Sequence, residues 1–205
     1  LLEKIKRNIK IISLSFLSSS STVCFDSLSN FLEKKMNTQT TTPTIHSLND
    51  KWVLYHHLPS NKDWTISGYD VIMNDIDTIE KSIQINESIP EDSIKYSMWF
   101  LMRKGVSPLW EDPKNVGGGN FSFKVVNKNV YDVWKQMFYL LCGGTLFTDV
   151  KYNKYINGIT ISPKKNFCIL KIWMNTMEYQ DPSIIENIPN LTKHGAQFRK
   201  HGSEG

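Results

Sequence analysis

Cysteine is sparse. Cys24, Cys142 and Cys168 are scattered over 205 residues with no CxxC pair. That excludes a zinc ribbon and a disulfide framework, and it points to a reducing compartment, the cytoplasm. No apolar run approaches the ~18–20 residues that a membrane span needs, so no membrane association is expected. Signatures of catalysis are missing too. There is no GxxxxGK, which removes Gly117–Gly119 as a Walker loop, and nothing resembles GxSxG or HExxH. Arginine is rare: of 24 basic residues only Arg7, Arg103 and Arg199 are arginine. No internal repeat is visible.

What is abundant is tryptophan. There are six, at positions 52, 64, 99, 110, 134 and 173, in a chain whose aromatics total 12% and whose hydrophobic residues total 40%. Such a chain can bury a core, and its length suits one domain, or one domain plus a tail. Net charge is +4, but residues 1–35 hold six basic and three acidic side chains. The rest is nearly balanced, so any polyanion site has to be local.

Residues 1–44 differ from the remainder. Lys4 to Lys10 precede a short apolar stretch, Ile11 to Leu17, and then a serine run. Two readings are open. One is a secretory signal. The other, favoured because Ser13 and Ser15 interrupt the stretch, is a disordered or non-native extension, with Met36 as a candidate true start. Residues 45–205 read as the globular domain.

Within it, Lys51–Leu58, Ile94–Arg103, Asn120–Val126, Ile156–Ser162, Phe167–Met174 and Gln197–His201 read as strands. Asp77–Asn86 predicts a short helix with Ile76, Ile79 and Ile83 on one side. Asn129 is the expected N-cap of the strongest helix. Its stripe is Val130, Val133, Trp134, Met137, Phe138 and Leu141, and Gly143 and Gly144 end it. Asp181 and Pro182 are expected to open another short helix, ending near Pro189. Helices separated by strand pairs favour an α+β fold with an antiparallel sheet and helices on one face.

His56 and His57 are adjacent, so on a strand they point to opposite faces and make a poor metal site. Cys142 and Cys168 read as buried small residues. No metal or cofactor is expected. The informative segment is Ser107-Pro-Leu-Trp-Glu-Asp-Pro-Lys-Asn-Val-Gly-Gly-Gly119. A tryptophan in a Pro/Gly-rich loop is hard to explain as core, because loops run over the surface. Trp64 lies in a second polar loop. Two loop indoles with a carboxylate, Glu111, suggest a pocket for a flat, cationic, hydrogen-bond-donating ring. Indoles stack on bases and attract cations, and one carboxylate accepts two donors from a base edge. The competing reading has both tryptophans capping sheet edges.

The motif Pro108–Gly119, PxWEDxxNxxGG, resembles that of the eukaryotic translation initiation factor 4E family, the mRNA cap-binding proteins. The resemblance runs from about His46 to His201. It includes His46-Ser-Leu-Asn-Asp-Lys-Trp-Val-Leu-Tyr55, Asp77-Thr-Ile-Glu80, the Trp134 helix ending at Gly143, and Gly158 followed by Trp173. It implies a curved antiparallel sheet with about three helices on its convex face, and a concave face that binds 7-methylguanosine. By position Trp64 and Trp110 become the stacking pair and Glu111 the guanine acceptor, with the Trp110 N–H meeting O6. Trp173 becomes the residue near the methyl group, and Lys164 and Lys165 the phosphate cations. Lys164 stands where the family uses arginine, which implies less oriented phosphate contacts. The family's further loop over the phosphates, with its regulatory serine, is expected to be missing. Trp52, Trp99 and Trp134 are assigned to packing.

On the convex face the family grips a helical Tyr-x-x-x-x-Leu motif of scaffold or inhibitor proteins. The matching places are His46, Ile79, Ile83, Gln136, Tyr139 and Gly143, with Ile83 where the family has tryptophan. The implied protein is a monomeric, non-enzymatic, cytoplasmic binder of capped mRNA acting in translation initiation. The alternatives are a cap-binding repressor that does not recruit the usual scaffold, a cap- or nucleotide-hydrolysing enzyme, and a general single-strand binder.

Overall fold

The computed structural model describes residues 45–203; the expectations for residues 1–44 lie outside the described residues. From Ser47 onward the chain builds a curved seven-stranded sheet. The strands are β1 (Ser47–His57), β2 (Asp70–Thr78), β3 (Met98–Arg103), β4 (Gly119–Val126), β5 (Ile156–Pro163), β6 (Phe167–Met174) and β7 (Gln197–Lys200). Their order across the sheet is β2-β1-β3-β5-β6-β4-β7, and every neighbouring pair is antiparallel. The helices are α1 (Ile79–Ser88), α2 (Glu91–Tyr96) and α3 (Val130–Cys142).

Strand alternation sorts the side chains into two layers. Leu54, Trp99, Leu101, Ile159, Ile161, Leu170, Ile172, Phe121 and Phe123 take one face and are buried. The helices cover that face. The Trp99 Nε1–H donates to the Ser93 carbonyl on α2 at 3.0 Å, and the Cys168 thiol donates to the Lys95 carbonyl. The α3 stripe expected from its spacing, Val130, Val133, Trp134, Met137, Phe138 and Leu141, is buried throughout. Each such large side chain contributes roughly 1.5–3 kcal/mol by leaving water. Cys142 and Cys168 are buried free thiols, and burial pushes both thiols up. Trp52, Trp99 and Trp134 lie in the core, each no more than 1% exposed.

Several local expectations need correction. Ile94 and Tyr96 belong to α2, and β3 starts only at Met98. Glu91 and Asp92 at the helix start, with Lys95 near its end, complement the helix dipole and outweigh local β preference. In α1 the buried side is Ser82, Ile85 and Asn86, whereas Ile79 and Ile83 are 44% and 47% exposed. The reason is that Thr78, not Asp77, ends the strand and caps the helix by accepting from the Lys81 N–H. Ile76 stays in β2, so the helical phase starts later than the isoleucine spacing suggests. Asn129 sits in a 3-10 turn leading into α3, and its side chain makes no capping hydrogen bond. Pro182 opens only a single 3-10 turn, Pro182–Ile184, capped by Asp181. Ile185 then bridges to Phe147.

Candidate ligand site on the concave face of the sheet

The face opposite the helices carries a small apolar cluster, Tyr69, Phe100, Met102, Val106 and Trp173, with Tyr55, Met98 and Leu109 against it. Gly158 makes this floor possible. A Cβ there would lie 2.4 Å from the Leu101 carbonyl oxygen and 2.6 Å from the Met102 sulfur. Strands β3 and β5 thus approach closely just beside Trp173, the partner of Gly158 in β6.

Above the floor opens a cavity of about 730 Å³, well within the range of small-molecule sites. Trp64, Trp110, Glu111, Trp173 and Lys164 all line it. The structure therefore brings together residues from three separate stretches of the sequence, the Trp64 loop, the Trp110–Glu111 loop and the β5–β6 hairpin. Lys165 does not line the cavity. Trp64 and Trp110 are 52% and 46% exposed, Trp173 only 7%. The Trp173 indole N–H is held by Thr160 Oγ1 at 3.2 Å, so this ring offers its surface and not its donor. His201 lies against it, with ring centroids 4.6 Å apart.

The Trp110 loop is built by its own sequence. Asp112 accepts from the Ser107 N–H at 2.8 Å and from the Lys114 N–H at 2.9 Å. Asn115 is fully buried. Its side-chain amide donates to the carbonyls of Ser107 and Leu109, and its oxygen accepts from Asn157 on β5. Gly118 packs where a Cβ would lie 1.9 Å from the Met174 carbonyl oxygen. Gly202, at φ +73°, lies under the Trp110 ring, where a Cβ would come within 2.7 Å of Cε3. The motif residues Asp112, Asn115 and Gly118 are thus the frame that presents Trp110 and Glu111. The Trp110 backbone N–H donates to no acceptor among the described residues.

Burial is the first factor acting on Asp112 and raises its carboxyl. The two backbone N–H groups and Lys114 overcome it, so the net position is below the ordinary 3.8. A depressed carboxyl contributes stability that is present above its unfolded value and lost as pH falls through the folded one. The loop should therefore hold at neutral pH and loosen in acid below the ordinary Asp range. Asp112→Asn, which cannot accept in the same charge-assisted way, should show that loosening already at pH 7. Hydrogen exchange at the Ser107 and Lys114 amides measures it.

Burial, then the Glu111 and Asp63 carboxylates, push the Tyr69 phenol up to about 12, so the cavity floor remains neutral. Cations line the cavity as well. Besides Lys164, the lining includes Arg199, which the sequence offers together with Lys200 as a compensating cation, and Lys171, which is not expected there from the sequence. A signal for both exists. Lys171 is two residues before Trp173 on the same strand, and residues two apart share a face. Arg199 pairs with Asn120, itself opposite Trp173. Its guanidinium donates to Gln197 Oε1 at 2.5 Å.

On the helical side, Gln136 and Tyr139 line a shallow second groove with Glu87, Tyr131, Asp132, Lys135 and Asn190. Glu87 bridges α1 to α3, meeting Lys135 Nζ at 2.5 Å and the Tyr139 hydroxyl at 2.6 Å. His46, Ile79, Ile83 and Gly143 are exposed and do not line this groove. The His46 ring meets Glu80 at 2.8 Å. Among the described residues no group of three or more potential ligands could hold a metal, and no helix is long and apolar enough to cross a membrane.

Comparison with known proteins converges on one family. The model of "Eukaryotic initiation factor 4E" matches residues 47–201. A mimivirus protein described as a eukaryotic translation initiation factor 4E homolog is 42% identical over 82 residues, which is 40% of this chain and 29% of that protein. The initiation factor 4E of Eremothecium gossypii is 29% identical over 164 residues, covering 75% of this chain and 70% of its own length. Among solved structures, Ascaris suum eIF4E-3 with an m2,2,7G cap superposes with a TM-score of 0.62 at 17% identity, covering 79% of this chain and 94% of that one. A schistosome eIF4E complexed with m7GpppG and 4E-BP gives 0.58 at 23% identity over 65% and 74% of the two chains. At these identities the structural likeness speaks for the fold.

Proposed function

The chain belongs to the eukaryotic initiation factor 4E family, and from that premise we propose that it binds the 7-methylguanosine cap of mRNA in the concave cavity, in the service of translation initiation. One observation carries the reading. Two half-exposed loop indoles, Trp64 and Trp110, share a single cavity with the Glu111 carboxylate. N7-methylation makes guanine cationic and leaves N1–H and N2–H as donors. Stacked between the two indoles, the base gains dispersion and cation–π attraction. Glu111 accepts from N1 and N2, and the Trp110 backbone N–H meets O6. Trp173 faces the methyl group from the floor. Unmethylated guanine still stacks and still donates from N1 and N2, but it lacks the charge and forfeits the cation–π and ion-pairing part of the attraction.

The triphosphate runs toward Lys164, Lys171 and Arg199. Lysines act as point charges, so the chain is held mainly by Coulomb attraction. A capped oligoribonucleotide should lose affinity as salt rises, with a slope of roughly −0.7 in log–log terms for each phosphate contact. Lys171→Ala and Lys164→Ala should each flatten that slope by about one contact and leave the preference for the methylated base intact. Lys165→Ala, outside the cavity, should leave the slope nearly unchanged. Titration at several salt concentrations reads all three.

The experiment that decides the reading is titration with 7-methyl-GTP and with GTP, followed by tryptophan fluorescence. The methylated nucleotide should quench at far lower concentration. Equal responses, or none, would sink the proposal. The protein acts as a cytoplasmic binder and not as an enzyme, so cap analogue incubated with divalent metal should be recovered intact.

A second reading, a cap-binding repressor, draws support from the convex face. Ile83 stands where the family has a tryptophan, and the Lys135 and Tyr139 polar groups of α3 are engaged by Glu87 of α1. Isoleucine keeps some apolar area but has no indole donor. Pull-down with a Tyr-x-x-x-x-Leu peptide separates the two readings. Capture supports recruitment in initiation; cap binding without capture supports sequestration.

A further inference from the structure

His57 closes β1 on the cavity side and is fully buried, yet it is absent from the cavity lining. Its ring lies parallel to that of Trp64, with centroids 4.4 Å apart and an interplanar angle of 12°. Its Nε2 is 2.9 Å from the carbonyl oxygen of Asp63. A carbonyl only accepts, so Nε2 carries the proton and donates. One imidazole therefore holds two adjacent residues in two ways, the backbone of Asp63 by a hydrogen bond and the indole of Trp64 by its face.

The surroundings reinforce this. Gly68 leaves room for the same Asp63 carbonyl, since a Cβ there would lie 1.9 Å from its oxygen. The Asp63 carboxylate in turn accepts from the Thr65 N–H and hydroxyl and from the Ser67 hydroxyl. Below, Tyr69 tilts against His57 at 4.8 Å, and Phe100 meets Tyr69 edge-on at 5.1 Å. The four rings form a ladder from the sheet floor to the loop. The imidazole, wholly covered itself, occupies one face of the indole, and Trp64, 52% exposed, lines the cavity.

We infer that His57 is the positioning residue of this site: it presets the loop tryptophan Trp64 so that its other face is already aimed at the base before ligand arrives. The inference rests on the cap-binding reading for what the base is. Without the platform Trp64 samples other orientations, and apparent affinity falls by the fraction of molecules in the competent one. That loss applies equally to every ligand that needs Trp64 in place.

The test is a double-mutant cycle. His57→Ala should weaken 7-methyl-GTP binding about tenfold, and the same change in a Trp64→Ala background should weaken it no further. His57→Phe, which keeps a flat ring but forfeits the hydrogen bond to the Asp63 carbonyl, should restore part of the affinity. In ligand-free protein, acrylamide quenching attributed to Trp64 by difference from Trp64→Phe should rise in His57→Ala and return in part in His57→Phe. Unchanged affinity in His57→Ala, an equal loss in the Trp64→Ala background, or unchanged quenching would each overturn the inference. Failure of wild-type protein to bind 7-methyl-GTP would overturn the cap reading instead, and the quenching comparison would still judge His57.

Discussion

Replacing Trp110 by alanine is expected to weaken 7-methyl-GTP binding by roughly 100-fold and to collapse its advantage over GTP. Stacking on an indole contributes ~1–3 kcal/mol per base, and a cationic base adds ~0.5–2 kcal/mol of attraction to the ring face. Removing the ring forfeits both. Trp110 is the sharper test of the two loop indoles, because its loop is held independently of its side chain. Asp112 and Asn115 bind the backbone of Ser107, Leu109 and Lys114. The fold should therefore survive the substitution, and the change in affinity should report the lost ring alone. Trp110→Phe separates the two contributions. It retains a stacking face with a weaker quadrupole, so it should recover part of the affinity and less of the methyl preference. Isothermal titration with both nucleotides, beside a thermal melt, checks each statement.

Glu111→Ala is the second large effect. A hydrogen bond to a charged acceptor contributes ~1.5–3 kcal/mol, and Glu111 is expected to accept two from one base edge. The loss should approach that of Trp110→Ala, with a different signature. Without the carboxylate, the N1 and N2 donors of the buried base edge go unpaired, so the site should lose its preference for guanine over other stacked bases. Glu111→Gln makes the finer cut. Its amide oxygen still accepts one hydrogen bond, but the negative charge opposite a cationic base is gone. Discrimination between methylated and unmethylated guanine should then fall further than guanine specificity itself. Competition among 7-methyl-GTP, GTP and ATP measures both. If Glu111→Gln were to bind 7-methyl-GTP as wild type does, the role of its charge would be refuted.

Much of this site is legible in the amino-acid sequence. The Trp110 loop is largely a local object. Its Asp and Asn residues satisfy constraints within a dozen residues, as when Asp112 accepts from the Ser107 N–H and Asn115 donates to Leu109. Local constraints leave a spacing that can be read. The α3 stripe is legible for the same reason, since helical neighbours recur every three or four residues. The isoleucines of α1 mislead, because the helix phase depends on where Thr78 ends β2. Spacing by itself does not carry that boundary.

The cations and the platform are less accessible. Lys164 and Lys165 are neighbours in a turn, and sequence order does not say which one turns inward. Lys171 and Arg199 reach the same cavity from different strands. Their shared face is fixed by the pairing of Ser122 with both Lys171 and Gln197, and of Asn120 with both Trp173 and Arg199. His57 falls on the opposite face from His56, as strand alternation requires. That His57 sits beneath Trp64 follows from the return of the 58–68 loop onto β1, held by Asp63 and Gly68.

By itself, then, the sequence determined the chemistry on offer: six tryptophans, Glu111 directly after Trp110, and a glycine-rich loop to carry that pair. It also determined the class of fold, because alternation and helical period are written residue by residue. Only the tertiary structure decided which rings share one cavity, which lysine faces it, and what supports Trp64. Those outcomes depend on strand register, and register is set by pairing between segments as far apart as Asn120 and Arg199, through backbone hydrogen bonds that nearly any residue can make.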